Sequence, residues 1–151
     1  MYFDDLELGH RFETVERTVT NDDIVKFAKL SGDHNPLHVD EAWVRANTGF
    51  GSVIAHGLLM TAITSGLSSP GLDDLKILAY LAVSRDFVGP AYPGDTVHAV
   101  STVMETRPSS SNPTRGIVAI ETELFNQDGV VLQRGLDTYL VARRTETGEN
   151  A

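Results

Sequence analysis

Apolar and polar positions alternate in some stretches of this chain and recur at helical spacing in others. From His10 to Val19, Phe12, Thr14, Glu16 and Thr18 alternate against Glu13, Val15, Arg17 and Val19, the period-two pattern of a strand. Thr20-Asn21-Asp22-Asp23 then reads as a capping box, and Ile24, Phe27, Ala28 and Ser31 form one helical face that Gly32 ends. Asp40 to Asn47 reads as a weaker helix anchored by Trp43, closed by Gly49-Phe50-Gly51. Leu58 to Leu67 carries few polar residues on any side, the mark of a buried central helix, and Pro70-Gly71 closes it.

The second half changes period. Leu75 to Val88 reads as one long strand, Thr96 to Thr106 as the next, and Gly116 to Phe125 as a third with Val118, Ile120, Thr122 and Leu124 on one face. Val130 to Ala142 is the fourth, with Leu132, Leu136 and Leu140 on one face. Turn signals at Gly89-Pro90, Pro93-Gly94-Asp95 and Asn126-Gln127-Asp128-Gly129 separate them. Thr145 to Ala151 reads as a frayed tail. Strand, helices and then a four-strand meander predict one α+β domain over residues 1–151, with its core at about 11–143. An antiparallel sheet with one apolar face would wrap around the apolar helix.

Composition narrows the classes. A chain of 151 residues can bury about 70% of its unfolded surface without staples. It has no cysteine, which excludes disulfides, a thiolate nucleophile and Cys-based zinc sites, and fits a reducing cytoplasm. A net charge of −9 argues against a nucleic-acid partner. The acidic Met1-Tyr2-Phe3-Asp4-Asp5 start does not resemble a signal peptide, and no apolar run reaches the ~20 residues of a membrane helix. A soluble cytoplasmic protein with no membrane partner is expected.

The chemistry concentrates in Ser31-Gly32-Asp33-His34-Asn35-Pro36-Leu37-His38. It sets a carboxylate and an imidazole five residues apart, with Pro36 between them arguing for a loop rather than a helical turn. Two such groups can grip one water between an acid and a base. Taken singly, Asp33 and Asn35 read as turn-formers. His34 and His38 have metal-ligand spacing only on a helix, and no third ligand presents itself, so no metal is expected. His56 reads as a structural histidine ordering the loop. Lys76, Arg85, Arg107 and Arg115 read as solvated charges.

This eight-residue stretch resembles the signature of MaoC-like dehydratases and (R)-specific enoyl-CoA hydratases. Phe50, Ile54-Ala55-His56-Gly57 and Tyr92-Pro93-Gly94-Asp95-Thr96 extend the likeness, from about Arg11 to Arg143. One departure is Val53, where the family commonly has proline. The resemblance implies the hot-dog fold, a curved antiparallel sheet around a central helix. It implies a lyase that reversibly hydrates a trans-2-enoyl thioester to an (R)-3-hydroxyacyl thioester. Asp33 and His38 would be the acid/base pair, Gly57 the backbone oxyanion donor, and Ser65 a supporting hydroxyl. No cofactor is implied, since coenzyme A would arrive as part of the substrate, and a homodimer is expected. The alternatives are a hot-dog acyl thioesterase and a non-catalytic subunit of a heteromeric dehydratase.

Overall fold

The computed structural model describes residues 1–144. After a short 3-10 turn at Phe3–Asp5 come β1 (Arg11–Glu13), β2 (Arg17–Thr18), α1 (Asn21–Ser31), α2 (Pro36–Val39), α3 (Glu41–Asn47) and α4 (Gly57–Gly66). Then come β3 (Ile77–Val83), β4 (Asp86–Phe87), β5 (Thr96–Pro108), β6 (Arg115–Phe125) and β7 (Val131–Ala142). The expected four-strand meander is three strands, β5-β6-β7, because β3 crosses to the far edge and pairs with β7 instead of β5. The tail at 145–151 lies outside the described residues. The strands form one antiparallel sheet in the order β1-β5-β6-β7-β3, with β2 on β5 and β4 on β7. No helix among the described residues is long and apolar enough to cross a membrane.

Local chemistry explains most boundaries. Thr20 accepts the Asp23 N–H at 3.1 Å while Asp23 accepts the Thr20 N–H at 2.9 Å, closing the capping box of α1. Gly32 ends it at φ 78°, a left-handed cap that favours glycine. The first predicted strand is two short ones, since the chain bends at Thr14 to Glu16 and both halves pair with β5. The predicted strand at 75–88 is likewise broken, at Ser84-Arg85. There the backbone passes so close over Gly135 that a Cβ on that glycine would stand 1.9 Å from the Ser84 carbonyl oxygen.

Three expectations need correction. Trp43 is exposed, and the anchor of α3 is Val44, 0% exposed. Leu132 and Leu136 do not share a face. Leu124 pairs with Gln133 but Phe125 with Val131, so Leu132 is an extra, bulged residue. Leu132 is buried, Leu136 is exposed, and Gln133 and Asp137 turn inward instead. Nor is α4 buried all round. Leu59, Met60, Ile63 and Thr64 face the core, while Leu58, Ala62 and Ser65 are exposed, because the sheet covers one side of the helix.

The core has two apolar clusters. One joins α4 and α1 to Val97, Ala99, Leu124 and Leu132, and the other joins Phe3, Leu6, Phe12 and Leu75 to Val103, Val118, Ile120 and Val141. Between them a buried polar row, Ser101, Thr122 and Asp137, crosses β5, β6 and β7.

Candidate active site

The Asp33–His38 stretch is half loop and half helix. Asn35 caps α2 by accepting the Leu37 N–H at 3.0 Å, and Pro36 occupies the first helical position. His38 therefore sits on a helical turn, which corrects the expected loop. Proline breaks helix interiors but suits the first turn, where its missing N–H would have had no partner. Asp33 stays in the loop, where its carboxylate accepts the Asn35 N–H at 3.1 Å. It is thus a turn-former whose remaining oxygen lone pairs are exposed to solvent.

Two backbone carbonyls set the histidine tautomers. His38 Nδ1 stands 2.7 Å from the Ile54 carbonyl oxygen, which can only accept, so Nδ1 carries the proton and Nε2 offers a lone pair. His56 Nε2 donates to the Asp33 carbonyl at 3.0 Å, leaving Nδ1 bare, buried and without a hydrogen-bond partner among the described residues. The two rings stack at 3.8 Å, and Phe27 tilts against His56 at 4.9 Å. Burial of His56 pulls its pKa below the ordinary 6.5, against the opposing pull of its bond to the Asp33 carbonyl. His56 thus ties the start of α4 to the Asp33 loop and forms the floor under His38.

One ligand-capable atom from each of Asp33, His38 and His56 lies within 4.8 Å of the others. No direct bond joins the Asp33 and His38 side chains among the described residues, and one water can bridge a gap of that size through two hydrogen bonds of about 2.8 Å. The three groups also form a conceivable metal set, with His56 the third ligand that sequence spacing did not reveal. The ring stack opposes it. Two imidazoles on one tetrahedral zinc, with Zn–N about 2.1 Å, hold their ring centres about 5 Å apart.

Gly57 opens α4 beside this cluster. Its N–H takes no acceptor among the described residues, and His56 supplies no side-chain cap. Two contacts hold the glycine in place. Gln133, 3% exposed, donates Nε2–H to the Gly57 carbonyl at 2.6 Å and accepts from Thr61 at 3.2 Å. The Phe87 ring lies where a side chain would be, 2.8 Å from an ideal Cβ. A largely apolar cavity of about 460 Å³ runs from His38 and Phe50 past Gly57 to Phe87 and Gln133. Asp33, His38 and the Gly57 N–H thus gather at one end of α4.

Ser65 is not with them. It lies eight residues along α4, is exposed, and donates to the Ala62 carbonyl at 2.7 Å. Sequence reading missed Gln133, because the β7 bulge that turns it inward has no local signal. It also misread Arg85, which is paired with Asp137 in the interior, not solvated.

Comparison with known proteins adds a family. The model of the MaoC like domain family matches residues 5–123. The (R)-specific enoyl-CoA hydratase of Aeromonas caviae is 34% identical over 133 residues, covering 86% of this chain and 91% of that protein. The crystal structure of a MaoC-like dehydratase from Rhodospirillum rubrum superposes with a TM-score of 0.84 at 31% identity, covering 96% and 99% of the two chains. The double hot-dog protein Rv0216 of Mycobacterium tuberculosis matches with a TM-score of 0.85 at 20% identity, covering all of this chain and 47% of that one, a likeness of fold.

Proposed function

The chain belongs to the MaoC-like family, and from that premise we propose that it is a hydro-lyase adding water to a trans-2-enoyl thioester to give an (R)-3-hydroxyacyl thioester, and catalysing the reverse. One observation carries this reading. An exposed carboxylate and a histidine whose Nε2 keeps a lone pair lie within reach of one bridging water, beside a cavity lined by Gly57 at the start of α4.

In the hydration direction the Asp33/His38 pair takes a proton from that water as its oxygen attacks C3. The electron pair of the double bond moves to C2 and the thioester, and negative charge develops on the thioester oxygen. The Gly57 N–H, aided by the positive end of α4, stabilises that oxygen. The pair then delivers a proton to C2. No cofactor takes part, and coenzyme A enters only as the thiol of the substrate. Ser65, exposed at the far end of α4 and bonded to the Ala62 carbonyl, has no step in this scheme.

A second copy of the chain completes the molecule in this reading. β3 is an edge strand with Leu78, Leu81 and Val83 about half exposed, and Phe87 of β4 continues the apolar strip. An uncovered apolar edge favours pairing with another chain. Sedimentation at working concentration is expected to give a homodimer.

The test is a panel of enoyl-CoA thioesters, following loss of the conjugated double bond and the chirality of the product. Wild type is expected to give the (R)-alcohol and Asp33→Asn to lose most turnover. Release of free thiol instead would identify a thioesterase. A folded protein inert toward every thioester until a second hot-dog chain is added would identify a non-catalytic subunit.

A further inference from the structure

A second cavity, of about 240 Å³, lies at the opposite end of α4 from Gly57. Its wall is polar where a core is ordinarily apolar. Arg85 Nη2 reaches both Asp137 oxygens, at 2.8 and 2.6 Å, with the two side chains only 7% and 4% exposed. Tyr80 donates to the same carboxylate, and Thr122 does so at 2.7 Å, with Ser101 3.3 Å from Thr122. Arg85 reaches the interior only because Gly135 lets the Ser84-Arg85 backbone pass over β7. A buried ion pair is seldom more stable than apolar residues of the same size. This one interrupts two otherwise continuous hydrophobic clusters and borders a void, although interiors are normally close-packed.

The two cavities lie along one α4–β7 seam. The first is walled by Gly57 and Gln133, the second by Ser65 and Asp137. Eight helical residues advance about 12 Å, and four strand residues about 13 Å. Thr61 stands between, bonded to Gln133, yet its hydroxyl is also 3.2 Å from the Gly57 carbonyl. It can turn to that carbonyl without losing a partner. A chain anchored as a thioester at Gly57 would reach the second cavity after roughly ten bonds, at about 1.25 Å of advance for each C–C bond of about 1.5 Å.

The geometry points to a pocket for the far end of a long acyl chain that carries an uncharged oxygen, a hydroxyl or keto group. This rests on the thioester reading above and names its substrate class. The volume suits about eight non-hydrogen atoms at about 30 Å³ each. The charge of Arg85 is already balanced by Asp137, and the Asp73 carboxylate lines the cavity as well, so a carboxylate tail would find no free cation. Burial, with Asp137 nearby, pushes the Tyr139 hydroxyl up to about 12 and Tyr80 higher still, so both stay neutral hydrogen-bonding groups.

The experiment is calorimetric binding of dodecanoyl-CoA and 12-hydroxydodecanoyl-CoA, neither of which has a double bond or 3-hydroxyl to react. Wild type is expected to bind the hydroxylated chain about tenfold more tightly, the scale of one neutral hydrogen bond. The double variant Arg85→Met/Asp137→Leu should erase that preference. Ser101→Leu, which fills the void, should weaken both long chains and leave hexanoyl-CoA unchanged. Equal binding by wild type, a preference that survives the double variant, or equal weakening of hexanoyl-CoA would overturn the pocket. Hydration of a short enoyl-CoA is measured alongside. Turnover without the preference sinks only the pocket, and the preference without turnover sinks only the reaction.

Discussion

The two ends of α4 handle polarity in opposite ways. At the start of the helix, polar atoms are left open. Among the described residues, His38 keeps a lone pair at Nε2, Gly57 an N–H without an acceptor, and His56 a buried Nδ1 with no partner. At the far end Asp137 is saturated by Arg85, Tyr80 and Thr122. The groups that border the cavity, on His38 and Gly57, are available to a reacting molecule, whereas the buried His56 Nδ1 only costs stability. A saturated ion pair is unreactive, and it shapes and polarises the surface a ligand meets. In the reading proposed above, the same ten-residue helix separates a place for chemistry from a place for recognition.

Substitutions at the two ends should therefore fail differently. The largest effect is expected from Asp33→Asn. The amide oxygen can still accept the Asn35 N–H, so the loop persists, while turnover falls about 10²–10⁴-fold, the usual contribution of a positioned acid or base. Steady-state kinetics with a thermal melt checks both halves. Asp137→Ala should do the reverse. Leaving Arg85 buried and unpaired costs about 3–5 kcal/mol, read by denaturant unfolding, whereas Arg85→Met/Asp137→Leu removes both charges and should cost less, about 1–3 kcal/mol, for the Tyr80 and Thr122 hydroxyls that lose their acceptor. A smaller effect is expected at Gln133, which reaches the Gly57 end of the helix from β7. Gln133→Leu removes the 2.6 Å bond to the Gly57 carbonyl and leaves it only the Thr61 hydroxyl, so the oxyanion donor loses part of its alignment. kcat should fall about tenfold with KM little changed, less than the 10²–10³ that removal of an oxyanion donor costs. A rise in KM alone would show that Gln133 contributes binding and not alignment.

The start of α4 was the more legible end in the sequence, for a physical reason. Its parts are local. A capping box, a left-handed glycine, an Asx turn and Pro36 at a helix start each act over two to four residues, so their spacing survives in the linear chain. Even there Pro36 misled, because its meaning depends on whether it begins a helix or interrupts one. The sheet end depends on long-range register. Arg85 meets Asp137 across 52 residues, and Gln133 meets Gly57 across 76. Gln133 and Asp137 face inward only because Leu132 bulges, and neighbouring residue types do not announce that. Trp43 failed differently, since size suggested an anchor where the small Val44 faced the core.

Acid should reveal the same division, by the smallest effect. His56 is held neutral by burial, with its pKa below the ordinary 6.5. The unfolded chain takes up a proton as pH falls through 6.5, and the folded chain does not until pH falls further. The stability linked to His56 is therefore complete above 6.5 and lost between that value and the lowered folded one. Thermal midpoints of wild type should decline as pH drops from 7.5 to 5. His56→Gln keeps a donor for the Asp33 carbonyl but cannot titrate, so its decline should be shallower. The Arg85→Met/Asp137→Leu variant should keep the wild-type slope, since neither replacement touches the stacked histidines. If instead His56→Gln declines as steeply as wild type, the bare Nδ1 is not the acid-sensitive atom, and the open end of α4 is no more vulnerable to protons than the saturated one.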